Sequence, residues 1–176
     1  MPLIIDELSG TVGGNASDIC LFVQTKRAGK VAGESVAIGH EDEIRLRGWS
    51  WGMAAGSAMG STQATGRRSY KALTVVKSID AATTPLMSAL ATNDEVKEAR
   101  LSMRKAGGDQ NDYFVVTLNG ARVASIDHVV GADGATTESV SFTFTKVRVE
   151  YFPQQGSGLR GGAKSFEDEY LLGGNA

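Results

Sequence analysis

The chain has 176 residues, a formal net charge of −2 and 22 glycines, with 41% hydrophobic residues. A chain of this length forms one domain that buries about two thirds of its unfolded surface. Acids and bases are interspersed, so there is no basic excess of the kind that supports nucleic-acid binding or attraction to a membrane surface.

Cys20 is the sole cysteine, which excludes an intramolecular disulfide. It sits in the apolar run Ile19–Val23 and reads as a buried, inert thiol. No segment approaches the ~20 apolar residues of a membrane span. The first residues lack the charged and apolar regions of a secretory signal. The expectation is a chain folded in the cytoplasm which, if exported, leaves without a cleaved leader.

Met1 to Ser17 reads as a weakly tied N-terminal arm, and residues 18–176 as a single domain. Asp18 to Gln24 is the first strand, Thr25 to Gly33 a basic loop, and Val36-Ala37-Ile38 a short strand. The stretch Glu43 to Met53 then holds both tryptophans, two positions apart. In one extended strand Trp49, Trp51 and Met53 share a face, while Ile44 and Leu46 lie on the other. Gly48, Ser50 and Gly52 leave that second face almost bare, so another backbone can come close there. One face must line a core. The other is covered either within a β-sandwich or, for a barrel strand, by a neighbouring subunit.

Ala54 to Arg68 is rich in small and polar residues and longer than the roughly 12 residues of an ordinary connector. Tyr70 to Ile79 is β-like, with Leu73, Val75 and the aliphatic part of Lys77 on one face. Thr83-Thr84-Pro85 starts a helix, with threonine as cap and proline at the first helical position. Leu86, Ala89 and Leu90 carry it at helical spacing to about Thr92. Glu95 to Lys105 alternates with one slip, marked by Val96, Ala99, Leu101 and Met103. Tyr113 to Leu118 and Val123 to Val130 are two strands around the Asn119-Gly120 turn signal, or one bent strand. The period-2 pattern of Val140, Phe142 and Phe144 flips phase before Val147, Val149 and Tyr151, which predicts either a bulge near Thr145-Lys146 or a strand whose buried face changes partner there. Phe166 to Leu172 is a last strand candidate.

Two motifs suggest chemistry that their context does not support. Gly156 to Gly161 satisfies G-x-G-x-x-G, and Gly158 to Ser165 approaches a phosphate loop, but no helical stripe follows to bind the phosphate. His40 and His128 are the only histidines, and no Cys/His spacing suits zinc. His40, among Glu41, Asp42 and Glu43, reads as a surface hydrogen-bonding group. No nucleophile elbow appears. The expectation is a protein that is not an enzyme, with no cofactor and no metal.

Several of these pieces, in order, resemble one family. Gly33-Glu34-Ser35, His40, Asp42-Glu43-Ile44 and Trp49-Ser50-Trp51-Gly52-Met53 look like the haemolysin-coregulated protein family (Hcp), the tube protein of the type VI secretion system. Arg104-Lys105-Ala106-Gly107-Gly108 matches a family turn, and Glu138 to Tyr151 resembles its penultimate strand. Asp80 to Pro85 resembles the family's helix entry with one extra residue. Phe166-Glu167-Asp168-Glu169-Tyr170 departs from the family's aromatic-Asp pair, and Met1 to Ser17 extends beyond its usual start. The resemblance implies a mainly β fold, a closed antiparallel β-barrel flanked by one short α-helix. It further implies homo-hexameric head-to-tail rings stacked into a hollow tube, with a spike protein, a contractile sheath and effector proteins as partners; the sequence stops just after the last strand candidate, so no fused toxin domain is expected. Strands apolar on both faces fit subunits that cover one another. Ile44, Leu46, Trp49, Trp51 and Met53 are then the core and assembly strand. Gly56, Met59, Gly60, Gly66, Arg67 and Arg68 mark a candidate ring-stacking loop. The alternative is a monomeric, soluble β-barrel that binds a small ligand or an effector protein.

Overall fold

The computed structural model describes residues 18–56, 60, 68–105, 110–153 and 161–170. The arm 1–17, Ala106-Gly107-Gly108, Gly156–Arg160 and Leu171-Leu172 lie outside them. The described residues form β1 (Asp18–Thr25), β2 (Gly29–Lys30), β3 (Ile44–Arg45), β4 (Gly48–Ser50), β5 (Met53–Ala55), β6 (Arg68–Tyr70) and β7 (Leu73–Lys77). Then come α1 (Thr83–Ala91), β8 (Val96–Arg104), β9 (Asp112–Val130), β10 (Thr136–Thr143), β11 (Lys146–Tyr151) and β12 (Lys164–Glu169). All strand pairs are antiparallel. The fold is mainly β, with one helix among the described residues.

The main sheet runs β2-β1-β8-β9-β10-β7-β4, with β3 on β1 and the β11–β12 pair on β9. β9 is one strand of 19 residues, so the Asn119-Gly120 signal marks a bend and not a turn. Gly120 has φ +54, and a Cβ there would lie 2.2 Å from Thr145 Oγ1. Only glycine fits so close an approach at positive φ. The first half of β9 carries β8 and β11, and its second half carries β10. The phase flip falls at Phe144-Thr145, between β10 and β11. There Thr145 donates to Asn119 O from both its backbone N–H and its hydroxyl, each at 3.2 Å. The slip in β8 also has a cause: Gln24 faces Glu98 while Thr25 faces Val96, leaving Lys97 as the extra residue of a bulge.

The barrel expected from the sequence is not drawn as a complete circuit of ladders among the described residues. β3 and β4 are short pieces of one segment, the first on β1 and the second on β7. Between them Leu46 N–H donates to Ile19 O at 2.9 Å and Arg47 N–H to Val76 O at 2.7 Å.

Alternation decides which side chains fill the core. Leu21 and Val23, Leu73 and Val75, Leu101, Val116 and Leu118, and Val140 and Phe142 are all fully buried in one cluster. Each such side chain stabilises the fold by about 1.5–3 kcal/mol. Leu86 and Ala89 of α1 join the cluster, and α1 packs on β9. The helix start differs from expectation: Ala82 is the N-cap residue, without a side-chain cap bond, and Pro85 is the third helical residue. Proline is tolerated there because the first four helical N–H groups lack intrahelical partners. Thr83 Oγ1 instead accepts from Asp80 N–H and from Lys77 Nζ, both at 3.1 Å. Val36-Ala37-Ile38 forms no strand; its segment folds on itself, with Gly33 N–H on Asp42 O and Ser35 N–H on Glu43 O at 2.9 Å.

The third inward position of β7 is a charge. Lys77 and Glu138 are both fully buried, with Lys77 Nζ 2.7 Å from Glu138 Oε1 and 2.7 Å from Asp80 Oδ1. His128 Nε2 lies 2.7 Å from Glu138 Oε2. Burial raises the Glu138 carboxyl, but the hydrogen bonds from Lys77 and His128 outweigh burial and hold it below the ordinary carboxylate range. Its contribution to stability is therefore complete above the ordinary glutamate range and is lost as pH falls through the lowered folded value. Glu138→Ala or Lys77→Ala is expected to cost ~3 kcal/mol, because each removes the main partner of a fully buried charge, leaving Lys77 with Asp80 alone or Glu138 with His128 alone. The Lys77→Met/Glu138→Leu double variant should recover most of that loss. Urea unfolding midpoints check this; a single-variant loss within the scatter of surface substitutions would refute it.

Candidate functional site

The organising stretch changes partner part-way, and this sets where its side chains go. Ile44 and Leu46 are buried against β1 and the core. After the hand-over at Leu46-Arg47 the alternation shifts phase. Trp49 and Trp51, half-buried, then pack on the same core. The expected two-faced strand is corrected accordingly: both apolar sets point inward, because the segment is not one continuous strand. Met53, which opens β5, is exposed.

Each tryptophan has its own aromatic partner. Trp49 stacks on Phe114 at 5.9 Å between centroids, and its Nε1–H donates to Met103 Sδ at 3.3 Å. Trp51 stacks on Tyr70 at 5.8 Å and meets Phe144 edge-on at 6.2 Å. Tyr70 in turn meets Phe144 at 5.7 Å and Tyr170 at 5.5 Å, both edge-on. Such pairs add about 0.5–1.5 kcal/mol each beyond the area they bury. Beside this cluster is a cleft of about 430 Å³ lined by Tyr70, Lys71, Arg122, Phe144 and Tyr170 among others.

The loop after β5 stands on a built base. β5 and β6 form a separate two-stranded ribbon, pairing Met53 with Tyr70, Ala54 with Ser69 and Ala55 with Arg68. Arg68 Nη2 donates to Asp168 Oδ1 at 2.8 Å and to Glu169 O at 3.2 Å, and its Nε also meets Asp168. Tyr70 donates its hydroxyl to the same carboxylate. The bonds from Arg68 and Tyr70 hold the Asp168 carboxyl below its ordinary range, while burial, then Asp168, pushes the Tyr70 phenol up. Arg68 is thus turned onto its own subunit's β12, and not outward as a loop cation would be. Gly56 directly follows β5, and Gly60 has φ +84. Met59, Gly66 and Arg67 lie outside the described residues.

His40 was read as a surface group and is buried, 7% exposed, between Glu43 and Asp112. Its neighbour in sequence, Glu43, was visible at spacing i+3. Asp112 is 72 positions away, and nothing in the sequence joins the two. Of the glycine-rich stretch, Gly161 is described: its N–H donates to Pro153 O at 2.9 Å, and the element that follows is the strand β12. Among the described residues no helix is long and apolar enough to cross a membrane.

A family model described as "Type VI secretion system effector, Hcp" matches residues 22–151. The chain belongs to the Hcp family. Protein hcp1 of Pseudomonas aeruginosa is 35% identical over 140 residues, covering 77% of this chain and 86% of that protein. A solved type six secretion system protein superposes with a TM-score of 0.74 at 26% identity, over 85% of this chain and 92% of that one. Hcp1 from Salmonella typhimurium gives 0.69 at 26% identity, over 87% and 95%.

The Hcp match runs from within β1 to the end of β11, so it includes the organising stretch, the ribbon and His40. It stops short of β12 and Asp168, which anchor Arg68. Trp51 offers a clean test of the aromatic cluster, because its Nε1 is buried with no hydrogen-bond partner among the described residues. Trp51→Ala should lose about 3 kcal/mol, whereas Trp51→Phe, which also removes the unpaired donor, should lose about 1 kcal/mol or less. Equal losses in chemical denaturation would show that the indole N–H has a partner.

Proposed function

We propose that this Hcp-family chain is a structural subunit of a secretion tube. Copies of it close head to tail into a hexameric ring, rings stack into a hollow tube, and the lumen carries effector proteins out of the cell. In this reading the chain is made in the cytoplasm, is exported without a cleaved signal, and has no catalytic role. Its partners are the spike, the contractile sheath and the effectors. Residues 18–176 act as one domain, and segment 44–50 closes it into a barrel by reaching from β1 to β7. The observation that carries the reading is the family match over β1 to β11 together with the likeness in fold to solved secretion proteins. The surface of one subunit is consistent with it. Val129 and Val130 at the end of β9, with Ile79 and Met87 near α1, stand exposed in a single copy, and apolar groups left in water favour burial between copies.

A second reading, a monomeric barrel that binds a small ligand or an effector, is favoured by the cleft beside Tyr70, Phe144 and Tyr170. Its volume falls within the range of roughly 300–1,000 Å³ usual for ligand pockets. Oligomeric mass separates the two readings. Light scattering at micromolar concentration should give the mass of a hexamer; a lone 18.5 kDa species would eliminate the tube.

The loop beyond β5 is assigned to ring-on-ring contact. It leaves the ribbon at Gly56 and returns at Arg68, both ends being fixed by β5–β6 pairing and by Asp168. Arg68 is engaged at that base, so the stacking contact is assigned to the segment between. Replacing Gly56–Gly66 by a short Gly-Ser linker should leave rings intact and abolish secretion. Intact rings with normal secretion would remove the loop from stacking.

A further inference from the structure

Segment 33–43, between β2 and β3, is a compact turn of chain with its own backbone bonds. Besides those from Gly33 and Ser35, Asp42 N–H donates to Ser35 O and His40 N–H to Ala37 O, each at 2.9 Å. His40 ties it to the sheet. Its Nδ1 lies 2.8 Å from Glu43 Oε2, and its Nε2 lies 2.9 Å from Asp112 Oδ1 at the start of β9. A neutral imidazole has one N–H and one lone pair. With a neutral ring, one nitrogen would set its lone pair against an ionised carboxylate oxygen at hydrogen-bond distance. Only a ring with a proton on each nitrogen donates to both.

The surrounding charges point the same way. From β8, Arg104 Nε lies 3.5 Å from Asp112 Oδ1, and Arg100 Nη2 lies 3.8 Å from Glu43 Oε1. Arg100 also holds Glu98 at 2.9 Å. These two guanidiniums face Glu43, Glu98 and Asp112, and the Glu41 carboxyl also interacts with His40 and Arg104, so the surroundings are net acidic and favour an imidazolium. From β1, Asp18 is paired with Arg45 at 3.6 Å, and the Cys20 thiol, pushed up by burial, rests neutral on Ser35 at 3.6 Å. Within the segment itself, Glu41 is exposed and accepts from Gly39 N–H, and Asp42 is exposed. The segment presents two apolar side chains to solvent, Val36 at 86% and Ile38 at 60% exposure. Arg104 Nη1 donates to Ile38 O at 2.8 Å, so the same cluster fixes that position directly.

We propose that segment 33–43 is a proton-gated latch: its closed form requires protons on both nitrogens of His40, and loss of one with rising pH frees the segment and the Val36–Ile38 face it carries. This goes beyond the tube reading and does not depend on it. The closed form holds a proton that the open form need not keep, so the latch tightens as pH falls and loosens as pH rises. A neutral ring gives up one charge-assisted hydrogen bond, which corresponds to about a tenfold or greater rise in opening.

The test is amide hydrogen exchange of Ser35 and Asp42 in the full chain at about pH 5.5 and about pH 8.5, expressed as protection relative to an unstructured amide. Wild-type protection should fall about tenfold at the higher pH, with the amides of β8 and β9 unchanged. In Asp112→Asn the carboxamide N–H can donate to the lone pair of a neutral ring, so protection should become independent of pH. His128 remains in that variant and serves as the internal control. The nitrogen chemical shifts of the His40 ring, followed in the wild type, give a readout that needs no variant: ring deprotonation and the loop amide changes should share one midpoint. Equal wild-type protection at both pH values, an unaltered drop in Asp112→Asn, or a His40 titration that leaves the loop amides still would each overturn the latch.

Discussion

β9 is the constraint on which the rest of the fold depends. A 19-residue strand must find partners for its backbone groups along its length, and no single neighbouring strand here is long enough. β10 and β11 divide one edge between them, and the break between those two strands must coincide with the bend in β9. Gly120 and Thr145 meet at that point, the missing side chain of one making room for the hydroxyl of the other. The bend and the phase flip are one event seen from two strands. It lets Phe142 and Val147, five positions apart and of opposite phase, both reach the core.

Three polar clusters then fix what the strands do not. Lys77, with Glu138, Asp80 and Thr83, ties the approach to α1 onto β7 and β10. His40, with Glu43 and Asp112, ties segment 33–43 to β9. Arg68 and Tyr70, through Asp168, tie the ribbon to β12. Each joins a connection to the sheet at a place where backbone pairing ends. Their energetics differ with burial. The Lys77 cluster is closed to water, so losing one partner is costly. The Arg68 pair is open to solvent and screened, so it orients the ribbon more than it stabilises the subunit.

Much of the β framework was legible because alternation is local. Leu73, Val75 and Lys77 were read on one face, and Val96, Ala99 and Leu101 on another, as the structure has them. The change of phase near Thr145 was visible, and the structure has it as a break between β10 and β11 at the bend of β9, with no extra residue there. Errors arose where the outcome depended on contacts distant in sequence. Val36-Ala37-Ile38 has a strand composition, but the residues around it close their backbone bonds within segment 33–43. His40 lies among acids and looked solvated, yet its second partner comes from β9. Thr83 looked like a cap, but its hydroxyl serves Lys77 and Asp80. The ion clusters were therefore the least visible part of the site, since charge pairing across the fold leaves no period in the chain.

The correction to Glu43–Met53 alters what supports assembly. Read as a single strand, the segment carried an apolar surplus on its outer side, which implied a covering subunit. The hand-over from β1 to β7 places Ile44, Leu46, Trp49 and Trp51 against one core, so that surplus disappears. What a neighbour could cover is Met53 at the end of the stretch and, elsewhere, Val36 and Ile38, Ile79 and Met87, and Val129 and Val130. These positions lie on β5, on segment 33–43, on α1 and its approach, and at the end of β9. In a heterologous contact two different faces of the same subunit meet, so exposed groups on different elements can serve opposite sides of it. Heterologous contacts close into rings when the rotation between copies allows it, which is the geometry the tube reading requires.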